Sequence, residues 1–233
     1  MFYTIPTFQN PTSWVSGVEV RRRIAELAAE FDMLVIEDDP YAALRFSGEK
    51  LPTIKSFDTS DNVIVLTSFS KTISPGLRVA LCFGSKDLIR KMTIAKQGSD
   101  THSPNLNQAI VGEYINRGFM PKHIEYISGV YSRSARIMTD AMAEHFPEWV
   151  HFEQPVGGLF IWCTLPEGWD ANEIFKRAVE RKVAFVPGAP FFTTPGKGQN
   201  TFRLNFSAEP EERIREGIKR LGDLLKEMAE EQK

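Results

Sequence analysis

Short apolar runs alternate with amphipathic stretches through the first half of the chain. Residues 33–36 and 63–66 are continuous apolar runs, as expected of strands buried on both faces of a sheet. Two further short strands are expected at 2–8 and 78–84. Between and after them, apolar positions recur at helical spacing in residues 17–31, 86–96 and 105–116. This alternation predicts an α/β fold built on a partial, doubly wound, mainly parallel sheet.

The first predicted helix, residues 17–31, is amphipathic. Its expected apolar face consists of Val20, Ile24, Leu27, Ala28 and Phe31. The polar face is expected to carry most of the remaining charged residues, among them Arg21, Arg22, Arg23, Glu26 and Glu30. A helix of this kind covers one face of a sheet and leaves its charges in water.

The second half of the chain has a different pattern. A long helical pattern predicts an interdomain helix at 119–145, which at 1.5 Å per residue spans roughly 40 Å. Strands at 159–165, 183–186 and 202–206 and helices at 172–181 and 211–232 predict a small α+β domain over 146–233. The charged tail, 226–233, is expected to be a solvated helix end.

Composition narrows the class of protein. Of the 233 residues, 42% are hydrophobic and 25% are charged, and the formal net charge is −2. These values are typical of a globular enzyme or binding domain and give no basis for a nucleic-acid or membrane partner. Cys82 and Cys163 lie in separate apolar runs, and the histidines have no metal-ligand spacing, so we expect neither a disulfide nor a metal site. A cytoplasmic location fits these features.

Polar groups follow or lie within several of the predicted strands. They are Asn10, Asp38 with Tyr41, Lys71 and Arg203. Each has an ordinary structural explanation when taken alone, as a turn, a cap or an ion-pair residue. The richest stretch is Thr67 to Arg78, where Ser68, Ser70, a lysine, a Pro-Gly turn and an arginine follow the third strand. Ligands of open α/β sheets bind beyond the carboxyl ends of strands, and these groups favour a phosphate.

The order of these motifs resembles that of fold-type I, pyridoxal-phosphate-dependent aminotransferases of class I and II, in the branch of the 2-aminoadipate and kynurenine aminotransferases. The matching segments are 8–12 (FQNPT), 37–41 (EDDPY), 68–71 (SFSK) through Arg78, 155–162 (PVGGLFIW), 183–188 (VAFVPG) and 202–207 (FRLNFS). Ser13 departs from the family, which commonly has glycine after Asn-Pro-Thr.

The resemblance implies a role for each site residue. Lys71 would form the Schiff base with pyridoxal 5′-phosphate and then act as the proton shuttle. Asp38 would face the pyridine nitrogen, and Asn10 and Tyr41 would hydrogen-bond the ring's 3-oxygen. Ser68, Ser70 and Arg78 would bind the phosphate, and Arg203 would bind the α-carboxylate of the substrate. Asp39 is expected to be only a turn or cap residue beside Asp38.

The resemblance further implies that residues 1–118 are the carboxyl-terminal part of a large cofactor-binding domain. The whole chain would be the carboxyl-terminal portion of an aminotransferase that acts on an L-amino acid and a 2-oxo acid, as a homodimer when intact. On its own, such a portion is expected to bind the cofactor poorly, because the family's phosphate-binding helix start and stacking ring precede the Asn-Pro motif.

Two alternatives stay open at this point. The chain could be the aminotransferase-like effector domain of a transcriptional regulator, because some bacterial regulators carry such a domain behind a DNA-binding domain. It could also be a non-catalytic remnant that keeps the core for packing or association.

Overall fold

The computed structural model describes residues 1–231, and the chain divides into two compact units. The first unit consists of Met1–Gln9 and Trp14–Ser128, and the second of Asn10–Ser13 and the chain from Gly129 onward. The predicted domain limits at 118 and 145 stay a prediction. The end of the last predicted helix at 232, and of the charged tail at 233, lies outside the described residues. None of the helices within 1–231 is both long and apolar enough to cross a membrane.

The first unit contains a four-stranded sheet in the order β1-β2-β3-β4. Its strands are β1 (Phe2–Thr4), β2 (Val35–Asp38), β3 (Val63–Ser68) and β4 (Ala80–Phe83). The first three are parallel, which confirms the mainly parallel sheet, and β4 runs antiparallel to β3. Only residues 69–79 separate β3 from β4, and a parallel crossover needs a dozen residues or more, so the chain turns back instead.

Three helices belong wholly to the first unit. They are α1 (Val18–Glu30), α2 (Lys86–Ser99) and α3 (Asn105–Asn116). Ala25 and Ala28 of α1 pack on Val35, Ile54 and Val63, in one buried cluster beside the sheet. Small residues on the helix allow this close approach of helix and sheet.

The predicted faces of α1 are wrong at three positions. Val20 and Phe31, expected in the core, are 47% and 66% exposed, whereas Arg21 is only 1% exposed. The Arg21 guanidinium donates hydrogen bonds from Nε to the Ser16 carbonyl, at 2.8 Å, and from Nη1 to the Pro52 carbonyl, at 3.0 Å. It also donates from Nη2 to the Pro6 carbonyl and the Thr7 hydroxyl, each at 2.8 Å. The buried charge is thus surrounded by acceptors, the condition under which a charge is tolerated in a core.

The second unit contains an antiparallel sheet, two helices of its own and the carboxyl-terminal part of the longest helix of the described chain. The sheet order is β5-β6-β8-β7. Its strands are β5 (His151–Phe152), β6 (Phe160–Thr164), β7 (Val186–Pro187) and β8 (Thr201–Asn205), and its helices are α5 (Ala171–Glu180) and α6 (Glu211–Glu231). Helix α4 (Phe119–His145) is continuous, and the limit between the two units lies within it, between Ser128 and Gly129.

Candidate active site

Lys71 lies in a tight turn directly after β3. The backbone N–H groups of Thr72, Ile73 and Ser74 all donate to the carbonyl of Phe69, at 3.3, 2.8 and 3.1 Å. The Phe69 side chain is buried with Val79 and Val111. Lys71 itself is exposed, and within residues 1–231 its ammonium group has no hydrogen bond or ion pair. The fold therefore holds the lysine backbone in place and leaves the amine available.

Two hydroxyl groups and a guanidinium flank this lysine. The Ser68 hydroxyl donates to the Ser70 Oγ at 2.9 Å, and the Ser70 backbone N–H donates to the Ser68 Oγ at 3.1 Å. Arg78 ends a short 3₁₀ turn with φ 55° and ψ 40°, a left-handed conformation that is uncommon for a residue with a side chain. Its Nη1 donates to the Pro75 carbonyl at 3.2 Å. Strained residues of this kind cluster at ligand sites, so the conformation of Arg78 is a physical pointer to binding.

Asp38 is the last residue of β2, the strand next to β3. The register pairs Asp38 with Leu66, so the carboxylate and the Lys71 turn follow neighbouring parallel strands at the same edge of the sheet. Asp38 Oδ2 accepts a hydrogen bond of 2.6 Å from the Tyr3 hydroxyl on β1. Tyr41, three residues on, is buried at 6% exposure.

Two further carboxylates lie beside Asp38 and serve the fold. Glu37 is fully buried and accepts from the backbone N–H groups of Ile54 and Lys55, at 2.9 and 3.0 Å, while burial raises its pKa. Asp39 Oδ1 accepts from the Ala42 N–H at 3.1 Å, as the turn-residue interpretation of Asp39 requires. Burial raises the pKa of Asp39 to about 6 against the hydrogen bond from Ala42, which lowers it.

The raised pKa of Asp39 predicts a pH-dependent stability. The folded protein favours the protonated carboxyl, so the stabilisation by Asp39 is complete below about pH 4 and is lost as the pH rises through about 6. In Asp39→Asn the amide oxygen can still accept from Ala42, but no charge is buried. From pH 4 to 7 we expect the free energy of unfolding of the wild type to fall by about 1–3 kcal/mol relative to this variant.

Urea denaturation at several pH values measures this difference, because all other titrating groups are common to both proteins. Asp140→Asn, at an exposed position on α4, is the matched control and should follow the wild-type pH profile. Parallel pH profiles for the wild type and Asp39→Asn would contradict the assignment.

The second unit brings Asn10 and Arg203 together across 193 positions of sequence. Arg203 Nη1 donates to Asn10 Oδ1 at 2.5 Å. The guanidinium carbon lies 4.1 Å from the centroid of the Phe160 ring and 5.4 Å from that of Phe191, so the cation is held against two aromatic faces. These contacts orient the planar fork of the arginine.

The turn after Asn10 accommodates the departure at Ser13. Ser13 has φ 58°, in the left-handed region where glycine is common, and its hydroxyl donates to the Phe160 carbonyl at 2.7 Å. This hydrogen bond between the turn and β6 offsets part of the cost of the left-handed conformation for a serine.

The structure thus places the predicted site residues in two groups. The first unit carries Asp38, Tyr41, Ser68, Ser70, Lys71 and Arg78, and the second carries Asn10 and Arg203. Sequence reasoning missed the contact of Tyr3 with Asp38. The available signal was strand periodicity, because Tyr3 lies on the strand that pairs with β2, opposite Ile36.

Comparison with known proteins identifies the family. Residues 4–221 match the family model of aminotransferase class I and II. The chain therefore belongs to this family, whose fold-type I architecture and use of pyridoxal phosphate confirm the fold class and the cofactor expected from the motifs.

Individual relatives agree with the branch that the motifs indicate. The chain is 43% identical over 225 residues to aromatic-amino-acid aminotransferase 1 of Thermococcus litoralis, covering 97% of this chain and 54% of the relative. A kynurenine aminotransferase from Pyrococcus horikoshii, solved in complex with PMP, has a TM-score of 0.93 and 42% identity, over 97% of this chain and 56% of that one. An α-aminoadipate aminotransferase from Thermus thermophilus, complexed with N-(5′-phosphopyridoxyl)-L-leucine, has a TM-score of 0.91 and 40% identity. The match covers 98% of this chain and 59% of that one.

The chain spans about half the length of the relatives that it matches. A more distant similarity concerns regulators. The uncharacterised HTH-type transcriptional regulator YisV of Bacillus subtilis is 28% identical over 219 residues, which cover 94% of this chain and 45% of the regulator.

Proposed function

We propose that this chain carries the lysine, ring-binding and carboxylate-binding residues of an aminotransferase that moves an amino group from an L-amino acid to a 2-oxo acid. The observation that carries the proposal is the Lys71 turn at the end of β3. Within the eleven residues 68–78 it places an exposed amine, two hydroxyl groups and an arginine whose backbone is in the left-handed conformation. Family membership supports it, because the motif order continues through Arg203. We further propose a homodimer and a cytoplasmic location for the protein.

The donor set fits pyridoxal phosphate. The hydroxyls of Ser68 and Ser70 and the guanidinium of Arg78 are phosphate donors, and the amine of Lys71 can condense with an aldehyde. An arginine at 71 could not do so, because guanidinium does not deprotonate in proteins. Asp38, with one carboxylate oxygen engaged by Tyr3, has a second oxygen for a ring N–H.

When bound, pyridoxal phosphate supplies an electron sink for the bonds of the substrate α-carbon. The chain supplies the rest. Lys71 Nζ would attach to the cofactor and, as a free amine, would carry the proton to and from the α-carbon. The charge of the Asp38 carboxylate would keep the ring nitrogen protonated. Tyr41 and Asn10 would hydrogen-bond the ring's 3-oxygen.

Arg203 binds the α-carboxylate of the substrate in this proposal. Its two parallel N–H donors match a carboxylate, and Asn10, Phe160 and Phe191 hold the fork in place before the substrate arrives. Because the fork is held in place, it loses little conformational entropy when the substrate binds. Since simple amines have no carboxylate to pair with it, the arginine favours amino and oxo acids.

The proposal is tested by following both half-reactions on protein expressed from its own gene and loaded with pyridoxal phosphate. Adding L-kynurenine, L-phenylalanine or L-2-aminoadipate should shift the cofactor's absorption band and release one equivalent of the matching 2-oxo acid. Adding 2-oxoglutarate should then restore the original band. A protein that binds the cofactor but yields no oxo acid with any amino acid would overturn the proposal.

A regulator remains the second candidate, favoured by the similarity to YisV. A regulator should bind the cofactor without turning over amino acids. The protein expressed from its own gene should also bind operator DNA. An electrophoretic mobility-shift assay, run beside the half-reaction assay, distinguishes the two functions.

Replacing Arg203 with lysine is expected to raise the KM for amino acids by about 10- to 150-fold. The lysine keeps the charge but loses the second donor and the contact with Asn10, and one charge-assisted hydrogen bond is worth about 1.5–3 kcal/mol. The dissociation constant of the cofactor should stay within about twofold. Steady-state kinetics and cofactor titration measure both, with Arg213→Lys on the exposed face of α6 as control. An unchanged KM would assign Arg203 to a structural role.

A further inference from the structure

Tyr3, on β1, contacts the Asp38 carboxylate. Its hydroxyl donates to Asp38 Oδ2 at 2.6 Å, a short bond of the kind that a hydroxyl forms with a charged carboxylate. Within the described chain, no other hydrogen bond reaches the Asp38 carboxylate. The orientation of that carboxylate therefore depends on one phenol.

The strand register explains why these two residues meet. β1 and β2 are parallel neighbours, and Tyr3 pairs with Ile36, two residues before Asp38. A long aromatic side chain can reach the diagonal neighbour on the same face of the sheet, two residues along the paired strand. Desolvation, and then the hydrogen bond to Asp38, raise the pKa of Tyr3 to about 12, so the phenol keeps its proton at neutral pH and remains a donor.

Resting on the proposed function, we infer that Tyr3 is a positioning residue for Asp38. By occupying Oδ2 it fixes the plane of the carboxylate and leaves Oδ1 as the oxygen that faces the ring nitrogen of the cofactor. Without the hydroxyl, the carboxylate rotates freely about its terminal torsion, which has broad minima. Tyr3 thus acts on the cofactor only through Asp38.

The test is a double-mutant cycle of Tyr3→Phe and Asp38→Asn, read by the dissociation constant of pyridoxal phosphate. Phenylalanine keeps the ring and removes only the donor. Because Tyr3 is 54% exposed and water competes for the bond, we expect a modest rise of about three- to tenfold in Tyr3→Phe. In the Asp38→Asn background the same change should have no further effect, because the charged partner is gone. Tyr126→Phe, at a 70% exposed position on α4, should leave the constant unchanged.

A second measurement tests the contact without the cofactor. With ¹³Cζ-labelled tyrosine, the resonance that disappears in Tyr3→Phe should show no titration up to about pH 10.5 in the wild type. In Asp38→Asn it should titrate at a lower pH than in the wild type, because the hydrogen bond and the charge of Asp38 are gone while the desolvation stays. Identical titration in the two proteins would contradict the contact.

The outcomes separate this inference from the proposed function. If the wild type binds pyridoxal phosphate and Tyr3→Phe binds it equally well, or if the two changes add, Tyr3 does not position Asp38 and the proposed function stands. If the wild-type protein expressed from its own gene does not take up the cofactor at all, the proposed function fails and the inference fails with it.

Discussion

Lys71→Ala should abolish covalent attachment of the cofactor. In the wild type, borohydride reduction should fix the cofactor to one peptide, and in the variant no reducible linkage should form. The reason is geometric, because Lys71 alone among the lysines lies in the turn after β3, between the serine pair and Arg78. Alanine keeps the turn, since the bonds that hold it are made by the backbone of Thr72, Ile73 and Ser74.

Mass spectrometry of the reduced, digested protein measures the linkage. Amino-group transfer should fall with it by several orders of magnitude, because attachment and proton transfer both need the amine. Lys86→Ala, at the start of α2, is the control and should keep full labelling. Labelling of any other lysine peptide in the wild type would refute the assignment of Lys71.

Arg21→Met should cost about 3–5 kcal/mol in the free energy of unfolding. Methionine keeps much of the volume of the side chain but donates no hydrogen bond. The buried Ser16 carbonyl then loses its donor, the Pro6 carbonyl keeps only the Ser16 N–H, and the Pro52 carbonyl and the Thr7 hydroxyl lose one donor each. Hydrogen bonds from a charged group are worth about 1.5–3 kcal/mol each, and relaxation and water recover part of the sum.

Urea denaturation of the purified proteins at pH 7 measures this loss. Arg23→Met is the matched control, because Arg23 lies on the same helix with 57% of its side chain exposed and forms surface ion pairs with Glu26 and Glu30. Its cost should stay below about 0.5 kcal/mol. Equal costs for the two variants would mean that the bonds of Arg21 contribute no more than a surface ion pair.

Arg21 also shows where sequence reasoning reaches its limit. Helical periodicity located α1 to within one residue at each end, since amphipathic spacing is a local property. It placed Arg21 in water because an arginine is rarely buried. The burial depends on carbonyls of residues 6, 16 and 52, and no local pattern records that these converge on one guanidinium.

The direction of β4 and the existence of β5 could not be predicted either, because both depend on contacts that are distant in sequence. The run at 78–84 identified β4, but its antiparallel direction follows from the turn at 69–79, whose path depends on the burial of Phe69. The two residues of β5 are too few for a periodic pattern, and they pair with β6 only because the sheet is already there.

The site was predictable where chemistry restricts residue type. A Schiff base needs a lysine and a two-donor fork for a carboxylate needs an arginine, so the family resemblance could be carried onto Lys71 and Arg203, whose roles stay a prediction. The bond from Arg203 to Asn10 could not, because it joins residues 193 positions apart. The bond from Tyr3 to Asp38 was missed, although strand periodicity could have placed the two side chains on one face of the sheet.

The three backbone bonds to the Phe69 carbonyl bear on how the lysine moves. With the main chain of Lys71 anchored to a buried aromatic residue, its amine travels by rotation about the side-chain torsions alone. Such rotamer changes in an exposed side chain take picoseconds to nanoseconds, whereas loop motion takes nanoseconds to microseconds. Under the proposed function, we therefore expect the amine to move between its attached and released positions without a loop rearrangement.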